Sequence, residues 1–225
     1  RQDESWESMI SRNIILCLRS LQSLLMLSPK LLGLLSTVAS IEPIASVLLQ
    51  GCLFCPPDPS LGELQAINHT AGPAFVQPCD MLNATEISIA VFVTLSSNAK
   101  CLTAIAQPNI PLMLSFVIDA PPNMRILKDA CECLFNMAEK DAFSSFVSEG
   151  GLLYLLKFAL GDIPEGLEAT KASQLVELKQ SCLHSVIKSA SNGLHGQKVI
   201  ILLERLLPKG LVAQLMVCSD IRISM

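Results

Sequence analysis

Four soft metal ligands lie in one proline-rich stretch: Cys52, Cys55, His69 and Cys79. Thiolates and an imidazole can hold zinc tetrahedrally. Their order, C-x2-C-x13-H-x9-C, matches no standard zinc finger. Leu53 and Phe54 suit the end of a buried helix, so plain loop cysteines are the favoured reading and zinc the alternative. A thioredoxin-like site needs its CxxC beside a βαβ unit, and no strand pattern occurs in this sequence. Cys131-Glu132-Cys133 places its thiols on different faces of a helix. A reactive thiol there requires a nearby cation or a helix N-terminus, so a structural role is favoured.

Ser97-x-x-Lys100 and Ser185-x-x-Lys188 have the spacing of the serine–lysine pair of penicillin-recognising enzymes. The companion Ser-Asp-Asn and Lys-Thr-Gly motifs are missing, so both are read as chance. Gly150-Gly151 is not a phosphate loop, because no G-x-G-x-x-G or Walker pattern follows a strand. Of the three histidines, His184 falls mid-helix as a surface or rim residue, and His195 lies in the turn Asn192-Gly193-Leu194-His195-Gly196. No HExxH, G-x-S-x-G or carboxylate pair occurs. The expectation is a chain with no catalytic residue and no cofactor. Asn136 is a candidate of another kind, since peptide-binding armadillo proteins hold an extended ligand's backbone with a ladder of such asparagines. Its counterpart one repeat earlier is Thr94, so there is no ladder, and a helix-end hydrogen bond is favoured over peptide binding.

The elements that must carry these residues repeat. The segment 86–119 matches 128–161 without a gap, at an offset of 42 residues. Ala130, Leu134, Met137 and Ala138 fall on Ser88, Phe92, Leu95 and Ser96. Phe143, Phe146 and Val147 fall on Cys101, Ala104 and Ile105. Leu152, Leu155, Leu156 and Ala159 fall on Ile110, Met113, Leu114 and Val117. Each group has helical spacing, and a period of about 40–47 residues built from three helices is the armadillo signature. Near the start, Cys17, Leu21, Leu24 and Leu25 repeat the first helix, Leu31, Leu34 and Leu35 the second, and Ile44, Val47, Leu48 and Gly51 the third. Near the end, Cys182, Val186, Ser189 and Ala190, then Val199, Leu202 and Leu203, then Leu211 and Leu215 do the same. The predicted fold is all-α: one array over 1–225, an armadillo/HEAT-like right-handed superhelix (α-solenoid) of about four repeats. A Pro- and Cys-rich insertion at 52–83 interrupts it, and a shorter one follows Gly161, a helix C-cap with Pro164 just beyond. Pro111 starts a helix near N1.

Composition agrees. Of 225 residues, 51% are hydrophobic and only 16% charged, against about 25% charged in ordinary domains, as expected where neighbours bury both sides of each repeat. The net charge of −4 and the absence of a basic run argue against nucleic-acid binding. The opening RQDESW has no basic n-region, so no secretory signal is expected. Without an initiator Met, the sequence reads as a fragment of a longer polypeptide. The apolar stretch 31–54 is long enough to span a bilayer, but Glu42-Pro43 near its middle argues against insertion and divides it into two amphipathic helices. Nine cysteines with several on buried faces (Cys17, Cys101, Cys182, Cys218) read as free thiols packed as small hydrophobes. The sequons at Asn68 and Asn83 read as chance.

The final third resembles a known family. Gly150-Gly151-Leu152-Leu153-Tyr154-Leu155-Leu156, then Gly193-Leu194-His195-Gly196-Gln197-Lys198-Val199, then Leu206-Leu207-Pro208-Lys209-Gly210-Leu211-Val212 resemble consecutive segments of the giant endosomal J-domain proteins. These are the receptor-mediated-endocytosis protein eight, DnaJ homologue subfamily C member thirteen and plant Katamari type. The matching features are turns, at Gly150, Gly151, His195, Gly196, Pro208 and Gly210, and Gln197 replaces the usual Pro. The resemblance covers about 86–217. It implies a cytosolic protein on the early endosome surface, without a transmembrane segment, working in endocytic, endosome-to-Golgi or vacuolar trafficking. Implied partners are sorting nexin, retromer, clathrin-linked factors and a heat-shock chaperone recruited through a J domain. The His-Pro-Asp loop of a J domain does not occur here, so this segment is expected to be a scaffold or spacer of the co-chaperone. The alternatives are a generic armadillo adaptor for an extended cytosolic peptide and a zinc-stabilised module.

Overall fold

The computed structural model describes residues 6–54, 80–106, 110–119, 121, 123–139, 150–191, 196–208, 210–215 and 217. Nine α-helices are named: α1 (Trp6–Leu27), α2 (Val38–Phe54), α3 (Met81–Ser96), α4 (Ala99–Ile105), α5 (Ile110–Asp119), α6 (Met124–Glu139), α7 (Gly151–Leu160), α8 (Ala169–Ala190) and α9 (Gly196–Leu206). A 3₁₀ helix at Pro29–Leu35 joins α1 to α2, and a short helical stretch covers 211–215. No strand occurs among the described residues. The protein is all-α.

Which helix touches which follows a rule. α1 packs on α3, α3 on α6 and α6 on α8. α2 packs on α5, and α5 on α7. The two series also interlock, because α2 touches α3, α5 touches α6 and α7 touches α8. α3 shows why its sequence is apolar nearly all round. It meets α1, α2, α4 and α6, and it buries Met81, Ala84, Ile87, Ile89, Val91, Phe92 and Leu95 on several faces. α6 keeps Arg125, Lys128 and Glu132 in solvent and buries Ile126, Leu127, Ala130, Leu134, Met137 and Ala138.

The 42-residue offset survives in the burial pattern. Ser88, Phe92, Leu95 and Ser96 are buried, and so are Ala130, Leu134, Met137 and Ala138. Ile110 and Leu114 in α5 match Leu152 and Leu156 in α7 in the same way. Cys182, Val186, Ser189 and Ala190 are buried as expected. Phe143, Phe146 and Val147 lie outside the described residues.

Three expectations fail, all near the start. Cys17 is exposed and Leu24 is 51% exposed, whereas Ile15, Leu18 and Leu25 are buried. The reason is that α1 packs on α3 along one side, and no described element covers its other side. In the connecting segment Leu31 and Leu35 pack partly against the core, but Leu34 is 71% exposed and Leu32 is the buried leucine. The 3₁₀ geometry has three residues per turn, so Leu32 and Leu35 share a face. Pro43 does not divide 31–54. It lies inside α2, in the second turn, where it forfeits one hydrogen bond to the Ala39 carbonyl. Burial of Ile41, Ile44, Ala45 and Leu48 carries the helix through it.

Helix ends are chemically marked. Asn98 accepts from the Lys100 N–H at 2.9 Å to cap α4, and Asn123 accepts from the Ile126 N–H at 2.8 Å to cap α6. Gly161 ends α7 as expected, its N–H donating to the Lys157 and Phe158 carbonyls.

Candidate functional site

Several polar side chains lie between helices and tie them together. On the α1–α3 side, the Ser11 hydroxyl donates to Asp80 at 2.9 Å and Arg19 donates to Asn83 at 3.1 Å. Between α3 and α6, Asn123 donates to Glu86 at 2.9 Å and Asn136 donates through Nδ2 to the Ser96 hydroxyl at 2.9 Å. The Cys101 thiol of α4 donates to the Leu32 carbonyl of the 3₁₀ helix at 3.0 Å. Thus Asn136, singled out for a backbone ligand, has its amide donor engaged across the α3–α6 contact. Asn83 of the second sequon sits within α3, with Ala84 and Thr85 of the same motif buried.

A cavity of about 260 Å³ lies where α5, α6, α7 and α8 meet. Its chemistry centres on Lys179. The ammonium donates to the Phe158 carbonyl at 2.6 Å and the Gly161 carbonyl at 3.0 Å, and it stands 4.6 Å from the centre of the Phe158 ring. Burial pushes its pKa down, and nearby Asp162 opposes the shift. Carbonyls at the C-terminal end of α7 attract a cation, so Lys179 serves as a cap delivered from the neighbouring helix. On the cavity rim Lys157 pairs with Asp119 at 2.6 Å, an exposed bridge. Two of its three donors are thus engaged on the end of α7.

Four of the described thiols lie in the interior. Cys101, Cys131, Cys133 and Cys182 are buried. Burial raises the pKa of Cys101, raises Cys131 far above the usual thiol range with Cys182 beside it adding to the shift, and raises Cys133 as well. Thiols held protonated in an apolar interior are poor nucleophiles. Cys131 and Cys133 of the CEC motif, on different faces of α6, are both buried.

The remaining sequence candidates differ in exposure. Ser97 donates to the Thr94 carbonyl at 2.7 Å, and Lys100 is exposed. Ser185 is buried in α8 and its neighbour in the motif, Lys188, is exposed. His184 is exposed on α8. Cys55, His69, Cys79 and His195 lie outside the described residues, and of Cys52 only the backbone, in α2, is described. Among the described residues no group of three or more His, Cys, Asp or Glu is placed to hold a metal ion.

The turn residues occupy special backbone. Gly150 has φ +79°, a left-handed conformation that side chains avoid, and it opens α7 at buried Gly151. Gly196 opens α9 so close to the end of α8 that a Cβ would collide with the Ala190 carbonyl. Pro208 and Gly210 are exposed in the turn that leads to 211–215.

An apolar opening of about 570 Å³ forms a groove between α1 and α2. Sequence periodicity did not single it out, because its lining residues read as core positions. Compared with protein-family models, curated proteins and solved structures, the chain matches none of them.

Proposed function

We propose that the chain is a non-enzymatic scaffold or spacer, an armadillo/HEAT-like right-handed α-solenoid of about four repeats. One observation carries this reading. Helices one repeat apart in the sequence pack on each other in two parallel series, α1–α3–α6–α8 and α2–α5–α7. Stacked repeats bury a continuous core through nearest neighbours and offer long surfaces to proteins. Polar side chains spent on helix caps and inter-helix ties, and thiols buried in their protonated form, fit a structural part better than a catalytic one. The resemblance of the Gly150, Gly196 and Pro208–Gly210 turns to the giant endosomal J-domain proteins suggests the setting: the early endosome surface, beside sorting nexin, retromer and clathrin-linked factors.

The array is tested by hydrogen exchange on Leu203→Ala, which removes a side chain 2% exposed in α9. In a nearest-neighbour stack, exchange speeds up in α8 and α9 and stays unchanged in α1 and α2. Uniform acceleration throughout the chain contradicts the array. The setting is tested by affinity capture from cytosol with mass spectrometry. Enrichment of sorting nexin, retromer or clathrin-coat components over a Gly-Ser bait supports the trafficking scaffold, and recovery of general chaperones alone counts against it.

A further inference from the structure

The contact between α6 and α8 brings two thiols together. The helices pack directly on each other. Cys131 of α6 and Cys182 of α8 are both 0% exposed, and their thiols are hydrogen-bonded to each other. Cys133 also lies on α6, but residues two apart on a helix do not share a face. It turns towards α3, where it shares a hydrogen bond with Ser96. Cys101 is engaged with the Leu32 carbonyl, and Cys17 is exposed on α1. Among the described thiols, Cys131 and Cys182 are thus the two that face one another.

Packing alone does not call for sulfur at these two places. At the 42-residue offset Cys131 corresponds to Ile89 of α3, and Cys182 of α8 corresponds to Ala130 of α6. Ile89 and Ala130 are 0% exposed as well, so α3 and α6 carry a hydrocarbon pair where α6 and α8 carry two oxidisable groups. Lys179 lies one turn before Cys182 on α8 and stands close enough to interact electrostatically with both thiols. Burial holds the Cys131 thiol far above the usual thiol range, with Cys182 and Cys133 adding to the shift and the Lys179 charge opposing it. The pair is therefore slow to react and, once one sulfur has reacted, has its second sulfur already in place.

We propose that Cys131 and Cys182 are an oxidative modification site, at which hydrogen peroxide installs a disulfide that clamps α6 to α8. The site needs the α6–α8 contact and not the solenoid reading, so it stands apart from the function proposed above. Peroxide is small and uncharged, and it reaches the pair through the local openings of a folded chain. In the first step one sulfur, as thiolate, attacks the peroxide. An S–O bond forms, the O–O bond breaks, and the departing hydroxide takes up the thiol's proton, leaving a sulfenic acid and water. In the second step the neighbouring sulfur attacks the sulfenic sulfur. The S–S bond forms, the S–O bond breaks, and hydroxide leaves with the second thiol's proton as water. The two thiols give up two electrons, and one peroxide becomes two waters. The first step is slow because little thiolate is present, and the second is fast because the partner is already oriented. The product closes a ring of about 50 residues that contains all of α7, a loop long enough for a cross-link to be strongly stabilising.

The full chain, fully reduced, is treated with millimolar hydrogen peroxide and quenched with catalase. It is then alkylated with iodoacetamide in urea and mapped by mass spectrometry without reduction. A cross-linked peptide joining Cys131 to Cys182 is expected, and reduction before alkylation should abolish it. Thermal unfolding should show the oxidised chain melting at least about 5 °C above the reduced one. Cys182→Ala, which installs the residue that α6 carries at the matching place, should lose both the cross-linked peptide and the rise in Tm, with far-UV circular dichroism checking that it folds. The map of the unsubstituted chain decides the pairing even where the variant fails to fold. Recovery of Cys131 and Cys182 as alkylated thiols or as sulfinic acids, once exposed Cys17 is fully oxidised, overturns the proposal. Pairing of either residue with a different cysteine overturns it as well. A cross-link that leaves Tm unchanged, or a rise that persists in Cys182→Ala, refutes the clamp.

Discussion

Leu24 and Leu95 occupy the same place in the sequence repeat, yet truncating them should have very different costs. Leu95 is 0% exposed in α3, and Leu24 is 51% exposed in α1. Leu→Ala removes three carbons, worth about 2.4 kcal/mol at about 0.8 kcal/mol for each buried carbon. At Leu95 the helices around α3 keep the resulting hole from closing, so the cavity term raises the loss to about 3–4 kcal/mol, within the range for core leucines. At Leu24 about half the side chain is already in water, which halves the transfer term, and an opening to solvent leaves no cavity. The loss there should stay at about 1.2 kcal/mol or less. Urea unfolding followed by far-UV circular dichroism measures both. With an m-value of about 3 kcal/mol/M, Leu95→Ala moves the midpoint down by about 1 M and Leu24→Ala by at most about 0.4 M. Equal losses refute the reasoning, because they require the outer side of α1 to be covered in the isolated chain.

Gly196→Ala forces a Cβ against the Ala190 carbonyl, so α8 and α9 must separate, and the expected loss is about 1–3 kcal/mol by thermal unfolding. An unchanged Tm sinks the idea of a close approach there. Asp129 has its pKa raised by burial, with Glu132 and Glu86 adding to the shift and Arg125 and Lys128 opposing it. Its folded pKa thus exceeds the ordinary 3.8, the folded state binds the proton more tightly, and stability falls as pH rises through that window. Asp129→Asn should therefore raise Tm at pH 7, with the difference shrinking as pH drops below 3.8; a lower Tm at pH 7 contradicts this. Brief iodoacetamide treatment with peptide mapping should modify Cys17, while Cys101, Cys131, Cys133 and Cys182 react only once urea unfolds the chain. Rapid native modification of Cys131 or Cys182 would show that the α6–α8 contact opens.

Much of the architecture is written in local spacing. The positions of Phe92 and Leu134, or Leu114 and Leu156, can be paired by counting residues, because a helix with one neighbour on each side needs the same apolar positions in every unit. Helix type, the cap at Gly161 and the left-handed turn at Gly150 follow from residue chemistry within a few positions. Local spacing cannot say whether a neighbour is present. Cys17 and Leu24 carry the same pattern as Ser88 and Leu95, but burial depends on what packs against them, and for α1 that is α3 on one side. The same holds for the polar groups. Asn136 reads as a helix-end hydrogen-bonding residue until the fold brings Ser96 within range of its amide, and nothing local marks Lys179 as the cap of a helix about 20 residues away. The sequence by itself determined the helices, their order and their apolar faces, because those depend on backbone geometry and periodicity. Only the tertiary structure decided which faces are covered, which donors are spent and where a groove is left between α1 and α2, because those depend on contacts between residues about 40–70 positions apart.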